Sequence, residues 1–455
     1  MRILVITGSP KGQNSITLQT AEYLRLRFPA HTWRVLHASA RIKALEKDFS
    51  PAEAALAEAD LLLFVYPVYT FLAPSQLHRF FELMKEHRVN VAGKIASQIT
   101  TSKHFYDVTA HRYVMENCQD LGMRFVRGLS ADMDDLTLEK GQREADAFFR
   151  YLLFCAENGC FEPPLPAPEA PRHLPVTIPE SREKATGDVV IVTDLRKEDS
   201  QLAAMIARFQ AVLPRKSRVV NIREYPFRGG CLGCFHCAAS GQCVYTDGFD
   251  TFLREQIQTG EAIVYAFSIA DHSMGAAFKQ YDDRQFCNGH RTVTMGMPMG
   301  YLVSGDYSRE GNLRMVIEGR AEVGGNFLCG VATDENDPDR AIDTLAHTLA
   351  YAIERHYTQP ANFLGVGGMK IFRDLIYVMR GMMRADHRFY KAHGQYDFPQ
   401  KQKGRILLMY LVGWMMNSKK LSKKIGSRMT EGMLMPYQKV LQSVTPATPE
   451  ENGAE

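Results

Sequence analysis

Met1-Arg2-Ile3-Leu4-Val5-Ile6-Thr7-Gly8-Ser9-Pro10-Lys11-Gly12-Gln13-Asn14-Ser15-Ile16-Thr17 opens the chain. Residues 3–7 form a short aliphatic, β-branched run of the length of one buried strand, and the residues from 15 onward have helical composition. Between them lie glycines, hydroxyls, amides and one cation, with no carboxylate. At the carboxyl end of a strand in an open parallel sheet, such a turn aims backbone N–H groups at an anion. Phosphate is the ligand chemistry this loop suits, and the same composition also suits a plain helix cap. The stretch has neither Gly-x-Gly-x-x-Gly nor the Gly-Lys-Ser/Thr ending, which disfavours a dinucleotide fold and a P-loop NTPase.

Outward from this loop the pattern repeats. Runs at 3–7, 34–37, 60–66, 94–100 and 123–129 alternate with helical segments such as 15–28, 75–85 and 140–155, as in a parallel sheet covered on both faces. Seven prolines between Pro163 and Pro179 then act as an extended spacer. The alternation restarts with expected strands at 188–193, 218–222, 262–267, 292–297 and 326–333 and a closing helix at 338–357. From about residue 361 the strand signal is lost and a Met-rich helical stretch follows, for which core packing against the tandem is the expected use. The expected organisation is a first α/β domain at 1–160, a linker at 161–187, a second α/β domain at 188–358, a basic helical extension at 359–443 and a disordered polar tail at 444–455.

At 455 residues, 45% hydrophobic and 23% charged, the composition is that of a soluble globular protein. Nine cysteines are too few for a disulfide scaffold of this length and read as a reducing, cytoplasmic setting. The chain starts directly with a strand and has no cleavage-site pattern, so no signal peptide is expected. Its longest apolar stretch, 406–416, is too short to span a bilayer. The net charge of +3 is unevenly placed: residues 361–441 carry fifteen Lys and Arg against four Asp and Glu. That extension suits an anionic partner, namely an acidic redox protein, an anionic membrane surface or acidic patches of a second subunit, or else is a solvated helical face. No nucleic-acid module is recognised in it.

Four of the cysteines, Cys231, Cys234, Cys237 and Cys243, lie within thirteen residues. Cys-x2-Cys-x2-Cys-x5-Cys approaches the bacterial ferredoxin run, in which the last gap is three and a proline follows. Here the gap is longer and Val244 follows. Three cysteines at successive gaps of two favour iron and sulfur over zinc, whose sites more often use two separated pairs; zinc or idle thiols stay open.

Gly8-Ser9-Pro10-Lys11, with Asn14, Ser15 and Thr17 downstream, resembles the FMN phosphate loop of the NAD(P)H-dependent FMN reductase and iron-sulfur flavoprotein branch of the flavodoxin-like superfamily. Pro67-Val68-Tyr69-Thr70-Phe71, then Pro74, Gln76-Leu77, Phe80 and Glu82, is similar to that family's turn against the isoalloxazine ring. Thr101 and Ser102, in the loop Thr100-Thr101-Ser102-Lys103-His104-Phe105-Tyr106, stand where the family contacts the ring edge, though without the usual glycines. Phe71 replaces a usual Gly and His78 a usual Lys. In the second half the cysteine loop with Asp247, and Phe278-Lys279-Gln280-Tyr281-Asp282-Asp283-Arg284, resemble the same family.

The resemblance implies two tandem flavodoxin-like, doubly wound five-stranded parallel sheets with a helical C-terminal extension. It further implies FMN in the first domain, a 4Fe-4S cluster on Cys231, Cys234, Cys237 and Cys243, and NAD(P)H as transient electron donor. The expected function is an FMN-dependent NAD(P)H oxidoreductase that relays electrons to an unidentified small-molecule or protein acceptor. No protein nucleophile or general base is required, so no catalytic residue is named.

The second half lacks the flavin parts: its first loop, Asp194-Leu195-Arg196-Lys197-Glu198-Asp199-Ser200, has three carboxylates that repel a phosphate, and Ser268-Ile269-Ala270 stands at the ring turn. The halves therefore read as an intrachain pseudo-dimer, with a homodimer left open. Asp271 and His272 are weighed as residues facing the site across the interface, His236 as a packing residue and Cys287 and Cys329 as buried thiols. The competing functions are a flavodoxin- or ferredoxin-type electron carrier and a zinc-stabilised, non-catalytic interaction module.

Overall fold

In the computed structural model, the described residues are 1–166, 173–181, 183–416, 434–435, 437–438 and 440–443. The chain divides into two compact units, Met1–Ala392 and His393–Glu455. The first contains two parallel sheets. Strands β1 (Arg2–Thr7), β2 (Thr32–Leu36), β3 (Leu61–Pro67), β4 (Ile95–Ser102), β5 (Arg124–Phe125) and β6 (Leu129–Asp132) make the first, in the order β2-β1-β3-β4-β5 with β6 also on β4. Strands β7 (Ala185–Thr193), β8 (Arg215–Asn221), β9 (Ala262–Ser268), β10 (Pro298–Ser304) and β11 (Phe327–Thr333) make the second, in the order β11-β10-β9-β7-β8. Both have the doubly wound 2-1-3-4-5 order, whose ligand crevice lies at the carboxyl ends of the first and third strands. The central strands are buried on both faces because helices cover them, which explains their uninterrupted runs such as Leu61-Leu62-Leu63-Phe64-Val65.

Two expected strands differ. The fifth position of the first sheet is broken between β5 and β6 at Gly128, where a β-carbon would lie 2.3 Å from the Gln98 side chain. The fourth strand of the second sheet is Pro298–Ser304, not 292–297. Thr292-Val293-Thr294 has strand propensity but lies in a turn that ends at Gly296 (φ +82), while the buried run after it pairs with β9 and β11.

The extension expected at 359–443 is divided. Helices Phe363–Val378 and Arg384–Ala392 belong to the first unit. Ile376, Met383 and Tyr390 are fully buried there, in keeping with core packing, whereas Met382 is exposed. In the second unit, the turn Pro399–Lys401 precedes the helix Lys403–Met416. The tail at 444–455 and part of the linker lie outside the described residues. Among the described residues, no helix is long and apolar enough to cross a membrane.

The two sheets are joined through equivalent helices, Ser75–Glu86 and Gly275–Arg284. Asp283 of the second accepts from the Ser75 backbone N–H of the first at 2.7 Å, and Glu82 of the first accepts from the Ala276 N–H of the second at 2.7 Å. Each helix start, with its unsatisfied N–H groups, is thus capped by a carboxylate from the other domain. Lys279 is fully buried beside Asp283. Its Nζ donates to the Tyr69 carbonyl at 3.0 Å, to Thr70 Oγ1 and to Asp283. Burial pushes the Asp283 carboxyl up, against the pull of Lys279.

His78 occupies the position in the first helix that Lys279 has in the second. It is fully buried and stacks on Tyr113 at 3.9 Å. Burial, then the nearby Lys279 charge, holds it well below the usual histidine range, so it is neutral. The lysine is needed only on the side where it must grip the partner domain's turn.

Removing one member of a buried ion pair costs about 3–5 kcal/mol. Lys279→Met is expected to lower stability by that order and Glu82→Gln by about 1 kcal/mol, read from the urea unfolding midpoints.

Candidate functional site

Gly8 follows β1 where a β-carbon would lie 2.7 Å from both Leu77 and Tyr66, so only glycine lets the loop turn here. The chain then passes through the short turn Gly12–Asn14 into the helix Ile16–Arg27. Ser9, Ser15 and Thr17 are buried, and Thr17 Oγ1 shares a 2.5 Å hydrogen bond with Thr101 Oγ1 at the end of β4. After β3, Thr70 (φ +43) and Phe71 (φ +72) force a tight turn closed by Tyr69 and Leu72. Lys279 and Asp283 fix this turn from the far side of the interface, Lys279 by donating to the Tyr69 carbonyl and Asp283 by accepting from the Thr70 hydroxyl.

The cysteine loop of the second domain lies against this turn. Gly233 (φ +61) approaches the Tyr69 hydroxyl so closely that a β-carbon would lie 1.9 Å from it. Gln76 Nε2 donates to the Cys231 carbonyl at 3.4 Å, and Lys11 Nζ lies 5.7 Å from the Phe235 ring centre. The loop ends are clamped by Arg284, which is buried, pairs with Asp247 at 2.7 Å and donates to the Gly229 carbonyl at 2.9 Å. Helix Arg384–Ala392 covers the loop from outside: Asp386, fully buried, accepts from the His290 N–H at 3.1 Å and Nδ1 at 2.9 Å.

The result is one cavity of about 330 Å³, within the ~300–1,000 Å³ range of small-molecule sites. Its lining includes Ser9, Lys11, Ser15, Thr17, residues 67–71, Thr101 and Ser102 from the first domain and all four cysteines from the second. Asn14 is exposed and not in the lining. Phe71 is buried in the lining, packed on Tyr106 at 4.1 Å and Phe105 at 5.0 Å, with the Arg320 guanidinium 5.6 Å from its ring.

The donor set suits a flavin mononucleotide. Hydroxyls and a lysine of the first loop stand beside an aromatic turn, and Thr101 at the end of β4 joins the first loop through its hydrogen bond to Thr17. The four thiols are soft metal ligands carried on one loop, and among the described residues no three of them offer sulfur atoms within 4.8 Å of one another. Cys231 Sγ accepts from the Gly233 N–H at 3.4 Å, a contact of the kind that tunes sulfur ligands. Burial pushes the Cys231 thiol up and Cys237 up to about 11, so both hold their protons at neutral pH in metal-free protein. Burial, then Cys231, raises the Tyr69 phenol, which stays protonated.

Three expectations change. His236 is exposed, at the start of helix His236–Ser240, and is not a packing residue. Asp271 and His272 are not in the cavity lining; they pair with Lys85, Asp120 and Glu310. Cys329, expected to be buried, is only half-buried, whereas Cys287 is buried as expected and also lines the cavity. The sequence reading also missed Arg320, the segment 285–294 and Phe372 of the extension. Phe372 packs tilted on Phe105 at 4.2 Å and edge-on against His290 at 4.9 Å. No local pattern marks them, because each joins the site only through packing.

Residues 1–133 match the family model of a flavodoxin-like fold, and this part of the chain is a flavodoxin-like domain. The second sheet repeats its strand order. The iron-sulfur flavoprotein of Archaeoglobus fulgidus is 28% identical to this chain over 173 residues, 36% of this chain and 78% of that protein. Among solved structures, an apo NADH:FMN oxidoreductase is 23% identical over 34% of this chain and 89% of its own, with a TM-score of 0.29. An NAD(P)H:quinone oxidoreductase from Methanothermobacter marburgensis is 14% identical over 36% and 99%, with a TM-score of 0.27.

A side chain at Gly233 meets Tyr69 and a left-handed backbone, a strain of about 1–3 kcal/mol. Gly233→Ala is expected to speed labelling of the Cys231 thiol in metal-free protein about tenfold, followed by mass spectrometry; an unchanged rate would show that Tyr69 yields instead.

Proposed function

We propose that this chain is an FMN-dependent oxidoreductase that takes electrons from NAD(P)H and delivers them through a 4Fe-4S cluster to an acceptor. The carrying observation is that the phosphate-type loop, the ring-type turn and four cysteines line one cavity although they come from different domains. The likeness to an iron-sulfur flavoprotein supports the same reading. Ser9, Lys11, Ser15 and Thr17 would hold the FMN phosphate, residues 67–71 the ring face, and Thr101 and Ser102 its edge. Cys231, Cys234, Cys237 and Cys243 would hold the iron.

A bound flavin accepts a hydride as an electron pair, and an iron-sulfur cluster passes electrons singly. The protein's part is positional. Gly233 lets the thiol loop reach the turn at Tyr69, and Lys279 stops that turn from moving away. Phe71, Phe105 and Phe372 make an apolar wall that restricts water on one side. Cys234 is the exposed member of the four, which puts one edge of the loop where an acceptor can approach.

Anaerobically purified protein is expected to show flavin bands with a broad cluster shoulder, and both should bleach on adding NADH or NADPH. Cys234→Ser should lose most of its iron and keep its FMN. Wild-type protein that takes up no FMN at saturating concentration would overturn the proposal, and so would flavin-loaded protein without iron for the relay.

A further inference from the structure

The turn that supports the site in the first domain has a counterpart in the second. Asp271 (φ +53) and His272 (φ +60) adopt the left-handed conformations of Thr70 and Phe71. Where Phe71 packs on Tyr106, the residue before helix Asp107–Asp120, His272 meets Glu310, the residue before the equivalent helix Gly311–Gly324. An aromatic contact on one side has become a charged one on the other.

His272 Nδ1 lies 3.0 Å from Glu310 Oε1 and 3.2 Å from Oε2, and Nε2 lies 3.0 Å from Asp120 Oδ2. The first domain supplies Glu116 from helix Asp107–Asp120. One ligand atom each from Glu116, His272 and Glu310 lie within 4.8 Å of one another. Glu116 is only 8% exposed, and its buried Oε2 has no hydrogen-bond partner. Its other oxygen reaches Arg112 Nε at 3.5 Å. A buried carboxylate oxygen with nothing to satisfy it is costly, and the carboxylate that carries it lies beside an imidazole and a second carboxylate.

We propose that Glu116, His272 and Glu310 bind a divalent transition-metal cation that bridges the two domains. The cation takes the place of the Nδ1 proton, while Nε2–H stays donated to Asp120, the carboxylate–histidine–metal arrangement that fixes a ligating imidazole. Asp120 is itself held by Lys85 at 3.1 Å, and Lys85 also pairs with Asp271 at 2.7 Å. One imidazole and two carboxylates without thiolate suit Mn²⁺, Fe²⁺ or Zn²⁺. Side-chain exposures of 20% for His272 and 13% for Glu310 leave a path for the ion. Without it, burial holds Glu116 up to about 7, and Asp120 and Glu310 keep His272 charged up to about 10 against its burial, so metal uptake releases protons. None of the three ligands lines the cavity of the proposed flavin site, and the inference stands apart from that reading.

The probe is Mn²⁺, which the cysteine thiolates disfavour, titrated into the full chain and followed by loss of the free-ion signal in electron paramagnetic resonance. The expected result is one Mn²⁺ per chain, with binding weakened more than tenfold in Glu116→Gln and in His272→Gln. Asp120→Asn should weaken it by about 10–100-fold. FMN uptake by the variants should match the wild type. No wild-type uptake at millimolar Mn²⁺, or uptake unchanged in Glu116→Gln, would overturn the proposal and leave the cluster as an ion-pair contact. The wild-type titration decides by itself should a variant fail to fold.

Discussion

The reciprocal capping of two helices by carboxylates of the opposite domain is the constraint on which the rest depends. Asp283 on the Ser75 N–H and Glu82 on the Ala276 N–H lock the sheets in one relative position, because moving either domain strands a carboxylate and a helix start together. Lys279 adds direction to that lock. From inside the second domain it reaches the Tyr69 carbonyl, so the pairing of the domains and the shape of the turn beside the cavity are one event.

From this follows the asymmetry between the halves. Both domains keep the left-handed pair in the turn after the third strand, at Thr70-Phe71 and Asp271-His272. Only the first turn has a buried lysine behind it and a thiol loop in front. The second has no such lysine, neutral His78 standing at the equivalent helix position, and it meets a network of Lys85, Asp120, Glu116 and Glu310. A duplicated scaffold has thus kept its backbone and divided its chemistry: an aromatic, hydroxyl-lined cavity on one side and a polar, charge-rich contact on the other.

Much of this was legible in the chain, for definable reasons. The buried strands are continuous apolar runs, the helices between them are periodic, and the prolines from Pro163 to Pro179 fall between the two runs of alternation. The loop from Gly8 to Thr17 and the cysteine spacing are short-range patterns, so their residues were found together. Strand β10 was misplaced because Thr292-Val293-Thr294 has strand propensity but no neighbour to pair with. His236 was misjudged because its Phe235 neighbour turns through a positive φ and leaves the imidazole in solvent. The departure at His78 became intelligible only beside Lys279.

The sequence by itself determined the two parallel α/β units, the anion-type loop and the four clustered thiols, since each depends on residues within a few positions of one another. Tertiary structure alone decided that the thiols of the second domain face the turn of the first, that Phe372 and Asp386 of the extension wall and cover the site, and that Glu116 meets His272. Those contacts join residues tens to hundreds of positions apart. Their energy comes from burying charges and rings against particular partners, and no local pattern records which partner that is.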